Sequence, residues 1–250
     1  MDTLLDRNTD NELVLRRSLK EGVFEFLHQQ IVAGKYAPGD WLRQEDIASQ
    51  LGVSQTPVRE ALDLLVSVGL AERMPYKGVR VPEPKPEEVA DAYVMRLLLE
   101  GTAARLAAHN RSAEQLAGLE AVLEQTRRLV TLEDMSTLRQ LNKRFHLAIA
   151  EASGNFLMGK LYEMTSNLFP DWRLYEYMFR HPELLDTSLS REYDEHRVIL
   201  EAIADTDAEL AARRSLEHIR NLGEELVNFL GIPPDLLAVK EAQVQLLFDK

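Results

Sequence analysis

Proline stands at positions 82, 84 and 86 of a 250-residue chain, in the run VPEPKPEE. Each proline removes a backbone donor and biases the preceding residue away from helical geometry, so no helix or central strand runs through this stretch. The chain must fold as two units joined by a stiff, extended connector. Charge changes at the same place. Residues 12–86 carry ten Lys/Arg and ten Asp/Glu, whereas residues 87–250 carry 18 and 28, so most of the formal charge of −12 belongs to the second unit. We read 1–17 as a flexible arm, 18–82 as the first domain, 83–86 as linker, 87–231 as the second domain and 232–250 as an extension with the pattern of one more helix. The absence of cysteine excludes disulfides and thiolate metal sites. No apolar run approaches the ~18 residues of a membrane span. The acidic first residues lack the basic start of a signal peptide, so the expectation is a cytoplasmic protein with no membrane partner.

In the first unit, Leu19, Val23, Phe26, Leu27 and Ile31 recur at helical spacing and predict a helix from Ser18 to Ala33. A short helix over Gln44–Leu51 is closed by Gly52. A second helix follows at once, capped by Ser54 or Thr56, with Pro57 in its first turn and Val58, Ala61, Leu62 and Leu65 as its buried stripe. Two short helices across a glycine turn make a helix-turn-helix. Leu70–Met74 and Val79–Val81 predict two strands around Pro75-Tyr76-Lys77-Gly78, a wing. Gln55 and Arg59 lie four residues apart and project together. Arginine pairs bidentately with guanine or clamps a phosphate, and glutamine pairs with adenine. The Lys77-Gly78 tip allows close approach to a phosphate or minor groove. Arg43, Arg59, Lys77 and Arg80 are expected on one face, with Asp63 and Glu72 elsewhere, so a neutral domain still presents a basic surface. Each copy then offers few phosphate contacts, and adequate affinity calls for two copies on a palindromic DNA site, hence a homodimer. Use of the same module for protein contact is the alternative.

The second unit reads as helix throughout, giving a mainly α protein: an N-terminal winged helix-turn-helix with a small β-hairpin, then an antiparallel helical bundle. Six helices are expected, over 87–109, 112–131, 133–152, 156–179 (interrupted at Pro170), 189–204 and 207–230, with capping boxes at Ser112/Gln115 and Thr206/Glu209. No glycine-rich phosphate loop or serine-nucleophile turn occurs. Three histidines fall on inward stripes of three helices: His146 with Phe145 and Ile149, His196 with Ile199 and Ile203, His218 with Ala211 and Leu222. Asn142 precedes His146 by one turn. Any one of these histidines is most simply a packed core residue. Three of them, with an oxygen donor beside the first, point to a divalent metal, and without cysteine the ion must take imidazole and oxygen. Zinc suits this set; nickel and manganese also accept it. His28, His109 and His181 lack such partners and are assigned to surface or packing. A His₃-type site with an open position is also a catalytic arrangement, so a helical metal-dependent hydrolase or lyase is the competing reading, although no clear general base stands beside it.

The residues also carry a resemblance. I31-x-x-G34-x-Y36-x-P38-G39-x-x-L42, then I47-A48-x-x-L51-G52-V53-S54-Q55-T56-P57-V58-R59-E60-A61-L62, then K77-G78-V79-R80-V81 resemble the winged helix of the GntR family of bacterial transcription regulators. R96-x-L-L-x-E100, N142-x-x-F145-H146, S153-G154-N155, E195-H196 and H218-I219 resemble the FadR C-terminal (FCD) effector domain, with a helix count like that of the shorter VanR-like subgroup. The resemblance implies a transcription regulator, expected to act as a repressor, with Arg43, Ser54, Gln55, Thr56, Pro57, Arg59, Lys77 and Gly78 at the DNA. It implies Asn142, His146, His196 and His218 as ligands of a divalent metal, and a small carboxylate effector held near Arg96; Arg173, just after the Pro170 break, is expected to line the same effector pocket. Two departures stand out. Gln55 replaces a common arginine, which shifts base preference. Asn142 replaces the commoner aspartate, which leaves the ion with its full charge, held less tightly but attracting an anion more.

Overall fold

The computed structural model describes residues 18–129, 131 and 134–245; the predicted arm 1–17 and residues 246–250 lie outside them. In the first unit, α1 (Leu19–Val32) starts at a reciprocal cap, Ser18 Oγ accepting from the Glu21 amide while the Glu21 carboxylate accepts from the Ser18 amide. Helix α2 (Gln44–Leu51) ends at Gly52 in the left-handed conformation, φ 65°, and α3 (Gln55–Ser67) follows with Ser54 as its N-cap residue. Strands β1 (Glu72–Met74) and β2 (Gly78–Arg80) pair antiparallel, Glu72 opposite Arg80 and Met74 opposite Gly78. The wing loop is therefore Pro75–Lys77, and Gly78 belongs to the second strand. Val23, Leu27, Ile31, Ile47, Val58, Leu65, Leu70 and Val81 close a core that also takes in Trp172, a residue of the second unit.

The bundle is built on α4 (Pro86–Asn110), which begins with proline at its first position, where no amide is missed. Ala103, Ala104, Ala107 and Ala108 are buried, and their small side chains let neighbours approach closely. Around α4 lie α5 (Ala113–Arg127), α6 (Met135–Ala152), α7 (Phe156–Leu168), α8 (Asp171–Arg180), α9 (Leu185–Ala204) and α10 (Ala208–Leu230). Helix α11 (Pro234–Gln245) packs against α4 through Tyr93–Glu241 and Lys240–Asp91 contacts.

Two expectations need correction. The stretch 156–179 is not one interrupted helix. Pro170 cannot donate, and the chain turns there to make α7 and α8, so seven helices rather than six are described between 86 and 230. The cap of α10 is not Thr206 with Glu209. Thr206 takes a left-handed φ of 63°, and Asp207 caps the helix by accepting from the Leu210 amide at 2.9 Å. The Ser112/Gln115 box forms as read.

Candidate functional site

On the first unit, a shallow concavity between α3 and the wing is lined by Arg43, Gln55, Arg59, Lys77 and Gly78, with Arg73 as an unforeseen member. Arg59, Ser54, Gln55 and Thr56 are exposed on the first turns of α3, and Gln44 Nε2 donates to both the Gln55 carbonyl (3.1 Å) and its side-chain oxygen (3.2 Å), holding that end in place. Pro57 is buried, so it shapes the first turn of α3 and offers no contact surface. Arg80 is not part of the basic face: its Nε donates to Glu72 at 2.6 Å, because residues 72 and 80 are cross-strand partners on the wing. Asp63 is likewise engaged, by Arg73. The basic face thus rests on Arg43, Arg59 and Lys77.

Inside the bundle, α6, α9 and α10 bring His146, His196 and His218 together, each at most 6% exposed, with candidate ligand atoms within 4.8 Å of one another. His146 Nε2 lies 3.1 Å from His196 Nε2. Two carboxylates fix the outer nitrogens: Glu100 lies 2.8 Å from His146 Nδ1, and Glu195 lies 2.7 Å from His218 Nδ1. A proton on each Nδ1 completes these hydrogen bonds and leaves the Nε2 lone pairs aimed at the common centre, the arrangement that orients metal-binding histidines. Burial lowers the His146 pKa to about 4 and holds His196 well below the usual imidazole range, so both are neutral and free to coordinate. Burial alone would raise Glu100, but Arg96 and then His146 hold its carboxyl far below the ordinary range. The donor set therefore fits a divalent ion.

A pocket adjoins this centre, walled by Arg96, Asn142, Lys143, Tyr162, Asp171, Tyr175, Arg191, Glu192 and His218 among others, with about 50 Å³ of free room, a few waters' worth. Asn142 stands beside the histidines and donates through Nδ2 to Tyr175 Oη (2.9 Å) and to Glu192, leaving its carbonyl oxygen free. Arg96 reaches the pocket wall while donating to Glu100 at 2.5 Å, and both residues are buried. Burial pushes Glu192 up to about 7.

Residues 91–221 match the family described as FCD domain, and residues 19–81 match bacterial regulatory proteins, gntR family. The chain belongs to the GntR family. Its relatives include the Uxu operon regulator of Haemophilus influenzae, 30% identical over 90% of this chain and 87% of that protein. They also include the probable D-xylose utilization operon transcriptional repressor of Paenarthrobacter nicotinovorans, 30% identical over 82% of this chain and 87% of the relative. Among solved structures, Escherichia coli McbR/YncC superposes with a TM-score of 0.64 at 27% identity, covering 85% of this chain and 99% of that one. These relatives are transcription regulators, so this GntR-family protein is a DNA-binding regulator and not the hydrolase or lyase of the competing reading. No described helix is long and apolar enough to cross a membrane.

Within this GntR fold, Arg173 is not in the pocket. Residues 171, 174, 175 and 178 of α8 face it, and the 100° step per residue turns position 173 away. Besides Arg96, the cations that line it are Lys143 and Arg191, for which adjacency to Asn142 and a one-turn offset from Glu195 were the available signals. Trp172 points the opposite way, into the winged-helix core. Next to it runs a polar seam between the domains. Arg139, 2% exposed, donates to Asp171 (2.9 Å) and to the Val68 carbonyl at the end of α3 (3.4 Å). Ser136 Oγ joins Glu25 (2.7 Å) to His28 Nδ1 (2.9 Å), which places His28, read as surface or packing, fully buried at this seam.

Proposed function

We propose that this regulator is a metabolite-responsive repressor, binding a palindromic operator as a homodimer and releasing it when a small carboxylate enters the pocket beside a divalent metal, with zinc the ion best suited to the ligands. The observation that carries the reading is the convergence of three buried imidazoles, two of them oriented by carboxylates, beside a pocket whose wall is also part of the domain seam. His146, His196 and His218 would hold the ion, with the Asn142 carbonyl as the fourth donor. The bound ion would supply positive charge and open positions for an anion. Arg96 and Lys143 add cationic character to the pocket, and Glu192 and Tyr175 offer partners for hydroxyl groups. With about 50 Å³ free, an effector of more than a few atoms enters only by displacing α8 or α9. Asp171 belongs both to that wall and to the Arg139 pair, so a displaced α8 pulls directly on the end of α3. In this way a ligand that binds one domain placement better than the other shifts the population. The relative named as a repressor supports the sign of the response.

The test is binding of the purified protein to its own upstream DNA across a salt titration, followed by small carboxylates with and without zinc. Salt-insensitive or absent binding would sink the reading. In the same assay, Arg59→Ala weakens operator binding by about 1–3 kcal/mol per copy and narrows the gap between operator and random DNA. An equal loss on both DNAs would assign Arg59 to phosphate alone.

Zinc titration gives a further check. Three ordinary imidazoles at pH 6 would together release about two protons on binding a metal. Here His146 and His196 are already neutral, since their pKa values lie below that pH. Calorimetry at pH 6 in buffers of different ionisation enthalpy is therefore expected to show no more than about one proton released per zinc. Release of two or more contradicts the neutral, pre-set pair.

A further inference from the structure

The arginine and lysine side chains that line the pocket beside the histidines are Arg96, Lys143 and Arg191. Two of them already face a carboxylate: Arg96 donates to Glu100 at 2.5 Å, and Arg191 pairs with Glu225. Lys143 differs. Among the described residues its ammonium pairs with no carboxylate, and its partner is a neutral amide, the side-chain oxygen of Asn167 in the last turn of α7. A carboxylate entering the pocket gains little at Arg96 or Arg191, where it competes with an acceptor of equal charge. At Lys143 it replaces a neutral acceptor and adds the attraction of opposite charges in contact, which is worth more in a confined pocket than in bulk water.

The partner that Lys143 gives up is itself part of the domain seam. The Asn167 backbone carbonyl lies against Gly69, just past the end of α3. Asn167 thus meets the pocket through its side chain and the recognition helix through its backbone. Lys143 stands one turn after Arg139 on α6, and Arg139 donates to the carbonyl of Val68, the residue before Gly69. We propose that Lys143 is the residue that takes the effector's carboxylate, exchanging Asn167 for it, so that ligand binding and the seating of α7 against the end of α3 compete for one ammonium. Linkage makes the effect reciprocal: whatever frees Lys143 from Asn167 tightens carboxylate binding, and a bound carboxylate loosens the Asn167–Gly69 joint. This deepens, and rests on, the reading of the pocket as the seat of a carboxylate effector.

Acetate, whose few atoms suit the about 50 Å³ of free room, is the probe, titrated by NMR into the full chain in the presence of zinc. Lys143→Met should weaken acetate binding at least ~10-fold, the loss expected when a charged hydrogen-bond partner is removed, and Lys143→Arg, which keeps the charge, should recover most of it. Asn167→Ala leaves the backbone carbonyl at Gly69 in place and removes the competing acceptor. It should tighten acetate binding about 3- to 10-fold, a gain that damaged packing does not produce, and it keeps the test open if Lys143→Met does not fold. Amide hydrogen exchange gives the reciprocal readout: the Leu70 N–H, which donates to the Leu65 carbonyl at 2.9 Å just past α3, should exchange faster on adding acetate to wild type and be indifferent to acetate in Asn167→Ala. Acetate binding that Lys143→Met does not weaken, or that Asn167→Ala leaves unchanged or weakens, overturns the assignment. The effector reading fails separately: if acetate binds with this pattern but no carboxylate releases the operator, that reading falls while Lys143 stands as the carboxylate's partner. A wild type that binds no acetate overturns both.

Discussion

If the three histidines hold zinc as proposed, His146→Ala is expected to abolish tight zinc binding and, with it, any rise in melting temperature on adding zinc. The imidazole is one of three facing the centre, 3.1 Å from His196, and its outer nitrogen is held by Glu100. Even loss of a group that merely orients a ligand costs 10–100-fold in metal affinity, so loss of the ligand itself should exceed ~100-fold. Zinc at ~100 times its dissociation constant stabilises a folded protein by about 2.7 kcal/mol, which for a chain of this size is a shift of about 5–10 °C. The variant should show none of that shift at the same concentration. Its carboxylate response should vanish together with the metal. Full metal occupancy in the variant, measured by elemental analysis after gel filtration, would show that the ion is held elsewhere.

Arg139→Met produces the second large effect, at the domain seam. Asp171, 18% exposed in its side chain, is left without the guanidinium that approaches it to 2.8 Å, and the Val68 carbonyl loses its donor. Breaking a buried pair by removing one partner costs about 3–5 kcal/mol, because the other charge stays desolvated. The melt should fall by roughly 10 °C, and cleavage in the Val81–Lys85 connector should accelerate as the winged helix detaches. Operator binding by the freed domain persists, but carboxylates no longer release it. Adding Asp171→Asn to Arg139→Met should cost less than the two single changes summed, as expected for directly coupled residues. A loss under about 1 kcal/mol, with an intact carboxylate response, would show that the seam carries no coupling.

What the sequence disclosed and what it withheld divide along the range of the interactions. Gly52, Pro57, Gly69 and the apolar spacing of α1–α3 act within a few residues, so the winged helix could be read from the chain alone. The inward histidines were legible for the same reason, since each sits on the stripe of its own helix. Their partners were less so. Glu100 and His146 are 46 positions apart, and nothing local tells which carboxylate meets which imidazole. The wing acid Glu72 was placed away from Arg80 because alternation along one strand says nothing of cross-strand register. On α8, the step from Trp172 to Arg173 to Tyr175 sends three neighbouring residues into a core, to a half-buried position away from the pocket, and to the pocket itself, and only the packed rotation of that helix decides which goes where. The Thr206 cap failed by one residue because Asp207 supplies a better acceptor to the same turn.

Gly69 ends α3 at φ +75°, and a Cβ there would lie 1.9 Å from the Asn167 carbonyl oxygen. The residue that lets the recognition helix stop is thus the socket for the bundle. This bears on recombination between relatives. A chimera joined within residues 82–86 looks clean by sequence, since the prolines there mark a connector, yet it carries half of a fitted joint. A winged helix grafted from another regulator would keep its operator preference but would inherit the metabolite response only if its counterparts of His28 and Gly69 suit Ser136, Arg139 and Asn167 of the recipient. Exchange of specificity between such proteins is therefore constrained at the seam more than at the linker, and the two halves are expected to diverge as a matched pair.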